Sequence, residues 1–249
     1  MVPRLRKSVV SRGGPSRRIV VVLVAPVDEL DLVGPLQVFN SVNRLAGETL
    51  YSIEAATNTD RLTVESESGV LSFTARHHFR SVAGPVDSVL VVCGLASRSV
   101  RDAALSAWLR KMAPQVRRVG AVCVGAFLLA EAGLLKGRRA TAHWKYGREL
   151  AKRYPDVRVE HEPLWVKDGN LYTSAGISAG TRRRGPRRWL FRTKPIAAYS
   201  SPSSPSSGSA FAPLIARFAA SSEISSMDVR FAISDCNLAS VAAISAHTS

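Results

Sequence analysis

The chain has 249 residues, 46% of them hydrophobic and 21% charged; that balance belongs to a folded globular chain, excludes wholesale disorder, and suits one large domain or one with a small companion. Its net charge of +15 sits mostly at the ends: residues 1–18 carry six basic and no acidic side chains, and residues 181–249 carry nine basic and three acidic. Residues 19–180 are left with +3, so charge does not mark the central region as a specific nucleic-acid surface.

Residues 1–18 lack periodicity and contain Gly13-Gly14-Pro15, which reads as a disordered basic arm or as the product of a misplaced translation start. Ile19–Val24 is a β-branched run, expected as a strand buried on both faces. Leu32, Leu36, Phe39, Val42 and Leu45 recur at helical spacing, predicting a helix over 32–45. Tyr51–Ala55 is a second strand, and Val70–Phe73 predicts a third near a sheet edge. Val89–Val92 and Val119–Val122 are further buried runs. Between them, residues 100–112 form an amphipathic helix with Leu105, Trp108, Leu109 and Met112 inward. Helices follow over 126–135 and 145–153, then short strands at 157–159, 164–166 and 171–173, the last two joined by Lys167-Asp168-Gly169-Asn170. Strands alternating with helices predict a doubly wound α/β domain with a mainly parallel sheet over 19–180. Residues 181–249, with TRRRGPRR and YSSPSSPSSGS, read as an irregular tail.

No apolar run approaches the ~18–20 residues of a membrane span. No secretory signal is recognisable, and three widely spaced cysteines (Cys93, Cys123, Cys236) are an odd set for a disulfide framework, so a reducing cytoplasm is expected.

One stretch carries chemistry. In Val119-Gly-Ala-Val-Cys-Val-Gly-Ala-Phe127 a buried strand ends at a cysteine and a helix begins at once. This is the grammar of a nucleophile elbow, with Cys123 in the role of the usual serine. Ala121 and Gly125 permit the tight turn, and the amide of Val124, with a second donor from the loop at Gly94, would form an oxyanion hole. The opposing reading is a buried cysteine packing as a small hydrophobe. His143 is the candidate base for Cys123, or else a helix-capping histidine. Asp31 is a candidate proton carrier at the sulfur, or else an N-cap. His77 and His78 are adjacent and would face opposite sides of a strand. No zinc spacing, phosphate loop or dinucleotide fingerprint is present, so neither metal nor cofactor is expected.

Four blocks stand in order: LDLVGPLQVF (30–39), AVCVGAFLLAEAGLL (121–135), GRRATAHW (137–144) and DGNLYTSAGISAG (168–180). Together they resemble the PfpI superfamily, with its flavodoxin-like, class I glutamine-amidotransferase-like fold. Two branches share these blocks. One is the sensor domain of GlxA-type transcriptional regulators of the AraC family, which implies a small-molecule effector, a homodimer and no catalysis. The other is isonitrile hydratase, which implies Cys123 as nucleophile and Asp31 as acidic partner in hydrating an isonitrile to an N-substituted formamide. FLLAEAGLL and DGNLYTSAG resemble the regulator branch more. The sequence departs from the family at Val124, where threonine is common, and at Cys93-Gly94-Leu95, where two glycines are usual. After Gly180 the expected acidic-apolar helix is replaced by TRRRGPRRWLFRTKP, while 208–214 resembles the family's interdomain segment and 236–248 the start of its first DNA-binding unit. Reading-frame slips within 181–249 would produce this pattern. The expectation is then a chain that stops before a complete helix-turn-helix, with DNA binding limited to weak, salt-sensitive contacts.

Overall fold

The computed structural model describes residues 16–176. The elements in chain order are β1 (Arg17–Val24), α1 (Glu29–Ala46), β2 (Tyr51–Thr57), β3 (Thr63–Glu65), β4 (Ser72–Thr74), β5 (His77–His78), β6 (Ser88–Cys93), α2 (Ala103–Met112), β7 (Arg118–Val122), α3 (Gly125–Glu131), β8 (Arg139–Ala140), α4 (Gly147–Arg153), β9 (Arg158–Val159), β10 (Trp165–Asp168) and β11 (Leu171–Ser174). A seven-stranded sheet runs β10-β11-β7-β6-β1-β2-β5. All its pairings are parallel except β10 with β11. This is the doubly wound, flavodoxin-like order. Right-handed crossovers place α1 on one face and α2 and α3 on the other.

Burial follows from that layering. Every residue of β6 and β7 is buried, and so is β1 from Ile19 onward, because a parallel sheet is covered on both faces. Phe39 and Val42 of α1, Leu105 and Leu109 of α2, and Phe127 and Leu129 of α3 close the core. Trp108 and Met112, expected inward, are only partly buried against it.

Several boundaries differ from the pattern for local reasons. α1 starts at Glu29, three residues early, because Asp28 caps it by accepting from the amides of Leu30 and Asp31. β1 begins at Arg17, whose amide donates to Leu50, and Arg18 pairs with Glu54 at 2.6 Å. α3 stops at Glu131, and Gly133 takes φ +75° just beyond it. The strand expected over 70–73 is not an edge of the main sheet. Val70 and Leu71 lie at an exposed turn between β3 and β4, which form a separate antiparallel hairpin. The sheet edge is β5, where His77 faces Glu54 and His78 faces Asp60. The readings made for 1–15 and 177–249, including the arm, the tail and the frame slips, lie outside the described residues.

Candidate functional site

β1, β6 and β7 are neighbours, and their carboxyl ends open on one edge of the sheet. The chain leaves β1 toward β2 and leaves β6 the opposite way, so a topological switch point lies between them, the place where open α/β sheets put ligands. The segments following these three strands carry Asp31, Gly94 and Cys123.

Cys123 has φ +59°, a left-handed conformation that a side chain seldom adopts. The elbow holds it there. Its amide donates to Ser174 O at 2.9 Å, extending the register of β11, and its carbonyl accepts from the His143 amide at 3.3 Å. Two glycines make room. A Cβ on Gly176, itself at φ +79°, would lie 2.9 Å from the Cys123 sulfur. A Cβ on Gly125 would lie 3.1 Å from Val91 O. Any larger residue at either place would push the turn open.

The sulfur sits in a protonating environment. Cys123 is 4% exposed. Burial pushes its thiol well above the ordinary range, and the facing Asp31 carboxylate adds to the shift through its charge and its hydrogen bonding to the protonated sulfur. The Val124 amide opposes this by favouring the thiolate. Asp31 is 1% exposed. It is not the N-cap, since Asp28 has that place; it is the third residue of α1, turned inward at the sheet end.

His143 meets the elbow with its backbone and spends its ring elsewhere. Nδ1 accepts from the Lys145 amide at 3.2 Å, and the His143 carbonyl accepts from the amides of Tyr146 and Gly147. The neutral ring then carries its proton on Nε2 and has no free lone pair for a thiol proton. Burial, and then the Lys145 charge, hold its pKa below the usual value. The geometry is that of the capping histidine.

At the end of β6 the donors are also engaged. The Gly94 amide donates to Pro26 O at 2.6 Å, so it is not an oxyanion donor in this arrangement. The next amide, that of Leu95, donates to the carboxylate of Glu67, and a Cβ on Gly94 would run into that same carboxylate. Glu67 had no signature in the sequence. It reaches the site because the chain before the hairpin pairs with Val27: the Glu67 amide donates to Val27 O at 2.9 Å, and the Val27 amide to Glu65 O at 3.0 Å. Glu29 on α1 steadies the same turn by accepting from the Ser68 hydroxyl, which holds its carboxyl down at about 2. Cys93, the last residue of β6, is fully buried, and burial pushes its thiol far up. Among the described residues no three His, Cys, Asp or Glu side chains gather as a metal site. Nor is any described helix long and apolar enough to cross a membrane.

Residues 17–182 match the DJ-1/PfpI family. The chain belongs to the DJ-1/PfpI family. An uncharacterized protein in the cpoL 5' region of Streptomyces lividans is 40% identical over 144 residues, covering 57% of this chain and 98% of its own. The isonitrile hydratase of Pseudomonas putida is 34% identical over 160 residues, 64% of each chain. The HTH-type transcriptional regulator GlxA of Rhizobium meliloti is 30% identical over 161 residues, 64% of this chain and 48% of the regulator. A solved THiJ/PfpI family protein of Pseudomonas syringae superposes with a TM-score of 0.55 at 27% identity, covering 66% of this chain and 64% of that one. The chain thus spans about half the length of the regulator and somewhat under two thirds of the hydratase.

In this DJ-1/PfpI domain the elbow offers a cysteine, one carboxylate beside it and one amide turned to the sulfur. A second amide, on Leu95, is held by an internal acid. Such a set can bind a small molecule at the sheet end and move one proton between Asp31 and sulfur. It supplies no histidine base.

Proposed function

We propose that the domain senses a small molecule, as the effector-binding part of an AraC-type regulator of the GlxA kind. The observation that carries this reading is the resting chemistry of the elbow. Cys123 is kept as a thiol by burial and by Asp31, His143 Nδ1 is engaged by Lys145, and the Leu95 amide is engaged by Glu67. A nucleophilic enzyme needs an activated thiolate and free oxyanion donors; a binding pocket needs neither. The similarity to GlxA supports the same direction. The reading assigns no DNA contact to residues 16–176.

The domain is also proposed to be a homodimer. Leu30 and Val33 on α1 are 59% and 46% exposed, and Val70 and Leu71 on the adjoining hairpin turn are 79% and 49% exposed. The Ser68–Glu29 hydrogen bond ties the two groups together. Apolar side chains collected on one face mark an association surface. Light scattering of the purified chain reads the outcome directly, and a monomer at micromolar concentration would refute it.

A second reading is hydration of an isonitrile, favoured by the Cys123–Asp31 pairing and the similarity to the hydratase. Asp31 would take the thiol proton, sulfur would attack the terminal carbon, and water would release the N-substituted formamide. One experiment separates the two. The chain is incubated with a simple alkyl isonitrile, and formamide is measured beside Cys123→Ala. The sensing reading expects equal, background formation; turnover lost only in the variant would replace it with the enzyme.

A further inference from the structure

Cys93 is a second thiol that neither reading uses. β6 and β7 are parallel neighbours in register, Ser88 beside Arg118 and Val91 beside Ala121. Two residues further, the same register brings Cys93 beside Cys123. Neighbouring strands lie about 4.8 Å apart, inside the Cα separation of about 4.4–6.8 Å that a disulfide spans. The surroundings agree. Cys93 Sγ lies 3.8 Å from where a Cβ on Gly125 would stand, two residues past the elbow cysteine. Charge on Cys93 bears on the Cys123 thiol, and Asp31 bears on both.

The two differ in access. Cys93 is 0% exposed and Cys123 4%, so an oxidant from solvent meets Cys123 first and Cys93 never directly. From this placement we infer that Cys93 and Cys123 form a redox pair, in which hydrogen peroxide oxidises Cys123 and Cys93 resolves it as an internal disulfide. The steps balance. Asp31 takes the Cys123 proton, sulfur attacks a peroxide oxygen, the O–O bond breaks, and the departing hydroxide receives the proton as water, leaving the sulfenic acid. The Cys93 sulfur then displaces the sulfenic hydroxyl, its proton leaving with that hydroxyl as a second water. One peroxide is reduced and two thiols are oxidised. The pair goes beyond the sensing and hydration readings and depends on neither.

Peroxide titration of the full chain, followed by tryptic mapping without reductant, tests it. Cys93 and Cys123 fall in separate peptides, 81–98 and 119–136, and Cys236 in a third. The expected product is 81–98 linked to 119–136, two hydrogens lighter than the reduced sum and restored by dithiothreitol. In Cys93→Val, Cys123 should run on to the sulfinic acid at peroxide levels where the native chain stops at the disulfide. Four results overturn the inference: sulfinic acid at Cys123 in the native chain without the link, a link to Cys236 instead, equal sulfinic yields in native and variant chains, or no oxidation at all. The native map decides even if the variant does not fold.

Discussion

Asp31→Asn puts the electrostatics of the elbow to a quantitative test. Asp31 and Cys123 are both nearly sealed from water, and the carboxylate raises the thiol by charge and by hydrogen bonding. A hydrogen bond to a charged group is worth about 1.5–3 kcal/mol, and one pKa unit is about 1.36 kcal/mol. Replacing the carboxylate by a neutral amide of the same shape should therefore lower the thiol pKa by about 1–2 units. The burial contribution stays, since Asn leaves the packing unchanged. Below the pKa, thiolate rises by the same factor, so the iodoacetamide rate at fixed pH should increase about 10- to 100-fold. The assay is a timed alkylation over pH 6–10, read as modified peptide 119–136. An unchanged or slower rate would refute the argument, because it would mean that Asp31 carries the proton and the sulfur is already the anion.

Other outcomes follow from the same geometry. Cys93 and Cys123 both have raised folded-state values, so above the unfolded value of about 8.5 the unfolded chain loses protons that the folded chain keeps. Stability should then fall as pH rises, by about 1.4 kcal/mol per unit for each thiol; urea melts under reductant from pH 7 to 10 measure it, and a flat profile would reject it. Cys93→Val should halve that slope. Gly176→Ala meets Cys123 sulfur at 2.9 Å with φ at +79°, so left-handed strain of about 1–2 kcal/mol adds to about 1–3 kcal/mol of overpacking. A measured loss below 1 kcal/mol would show that the Cys123 turn yields easily. Glu67→Ala should leave the fold intact and raise the hydrogen-exchange rate of the Leu95 amide at least about tenfold, since its acceptor is gone; unaltered protection would mean that Glu67 does not hold that amide.

The layout of the sheet was legible because β1, β6 and β7 are continuous β-branched runs, and a sheet covered on both faces needs such runs. The elbow was legible because a cysteine followed by Val-Gly closes a strand and opens a helix within three residues. The hairpin was misread for a physical reason. Val70 and Leu71 have the apolar character of a strand, but they sit at a turn where they bury nothing within the described residues. His143 permitted two roles, and only the bond from the Lys145 amide to its ring separates them. Glu67 left no trace in any local pattern. Its position depends on the pairing of residues 65–67 with Val27, nearly forty residues away along the chain. Cys93 looked like the last residue of a buried strand, which it is; its relation to Cys123 is a property of register.

The excess positive charge of this protein stops short of its sulfur. The carboxylates of Asp31, Glu67 and Asp28 all act on the thiols at the strand ends, so a visitor crosses a locally negative field on the way in. Iodoacetate and iodoacetamide deliver nearly the same warhead and differ by one charge. The anion should be disfavoured against the amide far more at Cys123 than at a free thiol such as glutathione, and added salt should narrow the gap.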